Sequence, residues 1–559
     1  MPGGDNQLHW WICFLLPCIA VGRQAATEND QLALLEGSVV HAVTKEPVQK
    51  AHVTLEQSEG PQDSALVATT DEAGRFRFAG IKAGQYKLTA EKSGFLDGAY
   101  GGAEPEDGGS LLKVTGGDRL HDLTLRLFPG ATISGQVMDA DGDPVPGDEV
   151  ILWARRHRHG QITNSSAGHT GTNHAGEYRF DGLSPGTYYV SASVGTWGYA
   201  TRQIPVDSSG KETRVHDLTT FYPAALSLAD AQGVSVEVGQ GQSGIDIRIQ
   251  RGATWSVKGR IAGMSRSTAN YSISARVAAG LGWTSEAGRV LPNGDFEFRE
   301  LPPGKQLLSL LEHGPNGVQV IGSTEVNLID QDVAGVVIAP FRPAQVRVRV
   351  VVEGEEDKPL TKGRVSLMPA HEPEDSLRTF LQYPPQNSTY VIDGVPPGKY
   401  RVWFNNASDC YLKSVLSGER MVDSESIDVA EGAVLDLLMT FSRNVASISG
   451  DVDPPQGQPN PSVHVLVISE EPGEHAEVRH RWPELDQTLH FSIARLRPGK
   501  YISLAVQDDN PDLWENSAFV KSFEAEGTAI ELHEKENATV HLKVIPKEET
   551  DGARKRLGL

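Results

Sequence analysis

Three His-x-x-Glu pairs stand in the sequence, at His174/Glu177, His371/Glu374 and His533/Glu536. That spacing lets an imidazole and a carboxylate share a zinc ion, provided a further ligand arrives from elsewhere in the fold. With 17 histidines and 73 acidic residues in 559 positions, about two such pairs arise by chance. His174 also falls in a turn that recurs along the chain. His157, His159, His169 and His174 form the densest histidine group, and they read as polar loop residues beside the basic run Arg155-Arg156-His157-Arg158-His159. Asp139-Ala140-Asp141-Gly142-Asp143 has the look of a calcium loop, but Pro144 stands where a glycine is needed and Val150 where the bidentate glutamate belongs. It reads as a turn. His-Glu-x-x-His, Gly-x-Ser-x-Gly and a phosphate-cradling glycine loop do not occur. The expectation is no catalytic residue, no metal site and no cofactor.

What remains is binding chemistry. Glycans are held by aromatic faces that stack on sugar rings beside amide and carboxylate groups. Trp197 with Tyr199, just after a strand, and Tyr100 in a Gly-rich loop are the candidate ligand-binding residues; Trp283, Trp482 and Trp514 are further aromatics of the same kind. Each has the alternative of serving a core or a joint between domains.

The elements that position these residues come from a repeated phrase. Phe76 and Phe78 alternate, Gly80 to Gly84 makes a break, and Tyr86, Leu88 and Ala90 alternate again. The phrase returns as Tyr178, Phe180, Pro185-Gly186, Tyr188; as Phe296, Phe298, Pro303-Gly304, Gln306; as Tyr390, Ile392, Pro397-Gly398, Tyr400; and as Phe491, Ile493, Pro498-Gly499, Tyr501. Period-two alternation on both sides of a break predicts a β-hairpin. Proline fixing φ at about −65° before a glycine at positive φ predicts a type II turn. The tyrosine after the glycine begins an inward row, with its hydroxyl in reach of a backbone partner. A spacing of about 100 residues is too long for a solenoid and suits tandem sandwiches.

The fuller pattern is Gly-x-Val, a turn with proline, Val-x-Leu, then Asp-x-x-Gly-x-Phe-x-Phe and the Gly-x-Tyr that closes the phrase. It covers Gly37, Asp71, Gly74, Gly84 and Tyr86, and again Gly135, Gly176, Pro185, Gly186 and Tyr188. It resembles the carboxypeptidase regulatory-like domain, a module similar to transthyretin-like and carbohydrate-binding-like β-sandwiches, in the form found in exported bacterial proteins. The resemblance is close over the first two copies and loosens over the last three, where Gln306 replaces the tyrosine and copies four and five lack the Asp-x-x-Gly turn. It implies an all-β chain, a tandem array of about five small antiparallel β-sandwiches. The divisions expected are a signal peptide at 1–22, sandwiches at 31–128, 129–251, 252–341, 342–441 and 442–546, and a charged tail at 547–559. Short connectors with proline, such as Phe128-Pro129-Gly130, predict a stiff or semi-stiff rod.

Composition narrows the function. A formal net charge of −22 disfavours nucleic acid, whose phosphates need clustered Lys and Arg. Trp10 to Val21 is apolar but too short to span a bilayer, and Ala20-Val21-Gly22 offers small residues for cleavage after Gly22. Leu15-Leu16-Pro17 before Cys18 departs from the small-residue box that lipid attachment requires. Cleavage would leave Cys410 as the sole cysteine, so five domains would stand on packing without a disulfide. The expectation is a non-enzymatic binding protein, secreted, periplasmic or at the cell surface. Its partner would be a polysaccharide or a cell-surface protein, with no nucleic acid and no integral membrane segment. A structural spacer without a ligand is the alternative, and a regulatory protein associated with a metallocarboxypeptidase the remote one.

Overall fold

The computed structural model describes residues 32–558 apart from 59–64, 106, 159–160, 194–214, 265–269, 278–284, 315–316, 356–362, 371–379, 383–388, 406–409, 454–462, 471–479, 508–510 and 515. The expected signal peptide, with Cys18, lies outside the described residues, as do Trp197, Tyr199, Trp283, His159 and the His371/Glu374 pair. Among the described residues no helix is long and apolar enough to cross a membrane.

The chain is all-β and built of successive sandwiches, each closed around its own apolar cluster. In the first unit the strand Arg75–Ile81 buries Phe76, Phe78 and Ile81, and the strand Gly84–Glu91 buries Tyr86, Leu88 and Ala90. They meet Leu35, Val39, Leu55 and Leu125 from the other strands. Each fully buried Leu, Val or Phe stabilises the unit by about 1.5–3 kcal/mol relative to exposure.

The hairpin expectation is corrected. Arg75–Ile81 pairs with Ala33–His41, whereas Gly84–Glu91 pairs with His52–Gln57 in the opposite sheet. The two strands face one another across the core, and the short link Lys82-Ala83 carries the chain from sheet to sheet. The same division holds in the second copy, where Glu177–Leu183 pairs with Ala131–Met138 and Gly186–Ser193 with Glu149–Arg158. In the fifth, His490–Leu496 pairs with Ala446–Asp453 and Gly499–Val506 with His464–Ser469, again not with each other, although there both belong to one seven-stranded sheet, as they do in the third copy. Alternation identifies which residues face inward; it does not say which strand is the neighbour.

The type II turn fails in the first two copies, where Gly84 and Gly186 do not take positive φ, whereas Gly304 takes φ 114° and Gly398 and Gly499 are close to extended at 157° and 155°. The left-handed glycines of the first, second and fourth copies are Gly80, Gly182 and Gly394, at φ 77°, 69° and 76°. Each is the extra residue of a β-bulge, where the pairing slips just before Ile81, Leu183 or Val395 reaches its partner. The bulge turns the strand end towards the other sheet. The tyrosine then locks the link. Tyr86 donates its hydroxyl to the carbonyl of Lys82 at 3.0 Å, Tyr188 to Ser184 at 2.9 Å and Tyr501 to Arg497 at 2.7 Å. In the third copy Gln306 does the same work, donating Nε2 to Pro302 at 3.1 Å.

Each unit also sets its first strand parallel to its last, as with Val39 opposite Leu125 and Gly450 opposite Val540. Elsewhere the pairing within sheets is mostly antiparallel. The expected charged tail is a helix, Lys547–Leu557, with Thr550 and Ala553 buried. Glu548 and Glu549 in its first turn and Arg554, Lys555 and Arg556 in its last complement the helix dipole, and Gly558 at φ 69° ends it. With the short helices Pro511–Trp514 and Ser517–Lys521 it covers the outer face of the fifth unit. This is why the strand His464–Ser469 is buried nearly throughout.

The rod expectation also fails. Leu111 in the first unit donates its amide to the carbonyl of Leu485 in the fifth at 2.8 Å, beside a bridge between Leu111 and Asp486. Lys113 and Gln487 exchange bonds of 2.9 and 3.2 Å. Lys87 meets Glu484, and Lys547 meets Glu104, each at 3.3 Å. The array closes on itself.

Candidate functional site

Closure leaves a cleft of about 1210 Å³ between the fourth and fifth units, with Gln85 of the first unit at its edge. The fourth unit contributes Trp403 from the strand Gly398–Asn405, Tyr411 and Lys413 from Tyr411–Ser417, and Phe441 from Val434–Ser442. The alternation that buries Val402 and Phe404 in the core turns Trp403 outward to the cleft, half-buried. The fifth unit contributes Arg481 and Trp482, then Arg495 and Arg497 from the end of His490–Leu496 and the link after it.

The segment after Trp482 is held from behind. Asp486 Oδ1 accepts from the Thr488 amide at 2.8 Å, the Thr488 hydroxyl at 2.6 Å and the His490 amide at 3.1 Å. Burial alone would raise its pKa, but the bonds from Thr488 and His490 prevail and hold the carboxyl below its ordinary value. Residues 485–487 are the ones that dock on the first unit, so the contact that closes the array also fixes one wall of the cleft. On the facing wall Lys413 pairs with Glu353, which raises the amine and lowers the carboxyl. Behind that wall, burial pushes the Glu425 carboxyl up to about 7, with Asp423 adding to the shift and Arg401 opposing it.

Cation and aromatic side chains thus share one concave surface. Trp403, Tyr411, Phe441 and Trp482 all reach the cleft, though Phe441 also packs on the fourth core with its ring 5.5 Å from Phe404, and Trp482 packs on the cluster beneath the helices of the fifth unit with its ring 6.4 Å from that of His464. The guanidinium groups offer planar forks of donors that suit carboxylates and sulfates. Cys410 lies at the same surface, half-buried.

Of the aromatics singled out in the sequence, Trp482 lines this cleft. Tyr100 packs its half-buried ring against the first core, and burial raises its hydroxyl pKa. Trp514 is fully buried against Phe519 and Phe523, at ring distances of 4.9 and 5.5 Å. Trp403, Tyr411 and Arg495 were not singled out. Trp403 carries a signal in hindsight: a large aromatic at an outward position of an alternating strand.

The metal-like patterns resolve into turns, except that His157 and His169, expected in loops, lie on the paired strands Glu149–Arg158 and Gln161–Gly171. Asp139 Oδ1 accepts from the amides of Asp141 and Asp143, both at 2.9 Å, and Arg251 supplies the cation, 2.9 Å from Asp141 and 3.0 Å from Asp217. Glu536 accepts from the His533 amide at 2.7 Å and its ring at 3.0 Å, which lowers the carboxyl pKa. His169 and His174 are exposed. Among the described residues no three His, Cys, Asp or Glu side chains gather as a metal site.

A family model for the carboxypeptidase regulatory-like domain matches residues 35–115 and 132–219, within the first and second units. No curated protein matches the chain. Among solved structures it is similar to the TIE protein of Bacillus anthracis, at 11% identity over 73% of each chain with a TM-score of 0.16. It is similar to the minor pilin GBS52 of Streptococcus agalactiae, at 14% identity over 40% of this chain and 97% of that one, TM-score 0.21. Two B repeat units of the collagen binding protein of Staphylococcus aureus match at 14% identity over 74% of this chain and 100% of that one, TM-score 0.12. Identities and scores are low, and the fold rests on the strand pairing given above.

Proposed function

We propose, for a chain that opens with two carboxypeptidase regulatory-like domains, that it is a non-enzymatic binding protein of the cell exterior and that a polysaccharide seats in the cleft between its fourth and fifth units. The observation that carries this reading is the gathering of Trp403, Tyr411, Phe441 and Trp482 on one open cleft of about 1210 Å³. The lining exposes slightly more polar than apolar surface, with the aromatic rings set among Asn405, Ser414, Ser424 and the cations, a mixture that suits a hydroxyl-rich ligand. Trp197 and Tyr199 stand as a second candidate surface on the second unit. A pure spacer gains from length, and the contact between the first and fifth units shortens the array.

A glycan array probed with the full chain, with Trp482→Ala, and with Trp197→Ala/Tyr199→Ala tests it. Loss of an aromatic anchor is expected to weaken binding about ten-fold. Binding that survives Trp482→Ala and falls with the double variant would move the site to the second unit. No binding to any glycan would leave the spacer reading.

A further inference from the structure

The bulge that ends the first strand of the repeated phrase sits at a joint between units in the second, third and fourth copies. In the second unit Gly182 lies against Gly130 of the connector, where a Cβ on Gly130 would come within 2.5 Å of the Gly182 Cα. In the third, Glu300 meets the buried His216 of the second unit at 3.5 Å. In the fourth, a Cβ on Gly394 would fall 2.3 Å from Oε1 of Gln319 in the third unit. Those three joints are filled at the bulge.

The fifth unit departs from this. Its bulge residue is Arg495, between the pairs Ala446–Leu496 and Ile448–Ile493, and it opens on the cleft instead of on a filled joint. Arg495 has φ 64°, the left-handed conformation that Gly80, Gly182 and Gly394 supply without strain. A long cation therefore stands where glycine fits the backbone best; Lys45, Lys50, Asp122, Leu489 and Lys535 share the left-handed conformation, but Arg495 alone of the six lines the cleft. The surroundings agree. Among the described residues lining the cleft, Arg481, Arg495 and Arg497 are cationic, Lys413 is cationic but paired with Glu353 behind the wall, and Asp423 is the one carboxylate. The chain as a whole has the opposite sign, at −22.

We infer that the cleft takes an acidic polysaccharide, one bearing carboxylate or sulfate groups, and that Arg495 is the residue that selects for its charge. Sugar rings stack on Trp403 and Trp482 while the anionic substituents meet the guanidinium groups, whose planar donors match a carboxylate or sulfate edge. This rests on the reading of the cleft as a glycan site and goes beyond it in naming the class of glycan.

The test titrates the full chain with polygalacturonate, dextran sulfate and neutral dextran, alongside Arg495→Gly and Trp482→Ala, and records the thermal midpoint of each variant. Arg495→Gly places the favoured residue in the left-handed bulge, so its midpoint is expected to hold or rise. The expected result is binding of a polyanion that weakens with added salt, at least ten-fold tighter than dextran, and reduced about ten-fold by Arg495→Gly. The stronger of the two polyanions then identifies the anionic group. Dextran binding as well as the polyanions, or Arg495→Gly binding them unchanged, would overturn the charge inference and leave the cleft in place. Polyanion binding that ignores both variants would overturn the cleft as the site. No binding of any of the three polymers would overturn both.

Discussion

Leu111 and Leu485 are 374 residues apart in sequence, and the amide of one bonds the carbonyl of the other at 2.8 Å. The bond joins the first sandwich to the fifth. It continues through Lys113 and Gln487 and is flanked by the Lys87–Glu484 and Lys547–Glu104 pairs. The same segment of the fifth unit carries Trp482 and Arg481 into the cleft, so the closure and the site are one piece of architecture.

A closed array scatters X-rays differently from a straight one. Five units of this size in line give a radius of gyration of about 50 Å, and folding the ends together brings it to about 30 Å. We expect the smaller value at low salt. Reversing charge at both flanking pairs, with Lys87→Glu and Lys547→Glu, sets like charges against Glu484 and Glu104 and is expected to raise it.

The tyrosine that ties down each link is a separable contribution. Tyr501→Phe leaves the ring in place and removes the bond to Arg497. The expected loss is about 0.5–1.5 kcal/mol, read as a lower urea midpoint for the fifth unit. Gln306→Leu in the third unit is expected to cost a similar amount, because the glutamine amide makes the equivalent bond to Pro302.

Gly135 marks a close approach. A Cβ there would sit 2.1 Å from the Ile245 carbonyl oxygen, and one on Gly37 would sit the same distance from that of Leu123. The parallel last strand passes too near for any side chain. Gly135→Ala is expected to destabilise the second unit by about 1–3 kcal/mol, measured by chemical unfolding. The fourth unit has Val348 opposite Tyr390 at this place, and its first and last strands run without a slip in register. Val348→Ala there should behave as an ordinary truncation.

Glu425 gives a pH dependence with a definite sign. Its folded pKa, about 7, lies above the ordinary glutamate value of 4.5, chiefly through burial. The folded state therefore holds the proton more tightly than the unfolded state. This contribution is fully present below the unfolded value and is lost as pH rises through about 7. The fourth unit is expected to lose stability between those two values, as followed by thermal unfolding across pH. Glu425→Gln is expected to flatten that slope and to stabilise the unit at pH above 7.

The sandwich cores were legible because burial of every second side chain leaves a period-two mark, seen in Phe76 and Phe78 and again in Tyr86 and Leu88. Pairing was not legible. A strand that faces its successor across a core has the same alternation as one bonded to it, and Gly80 looks like a loop glycine whether it turns a hairpin or bulges a strand. Trp482 could be picked out as an aromatic of interest, yet its location depends on Leu485 finding Leu111, a backbone contact that no side-chain pattern encodes. Arg495 was hidden for a further reason. Its meaning appears only when the bulge is known and the glycines of the first, second and fourth copies stand beside it.

Hydrogen exchange with polygalacturonate bound tests the cleft most directly. The account predicts slowed exchange over residues 411–415 and 480–497, walls drawn from two different units, with the first three units unchanged. Protection confined to the residues around Trp197 and Tyr199, with both walls of the cleft exchanging as in the free protein, would contradict it.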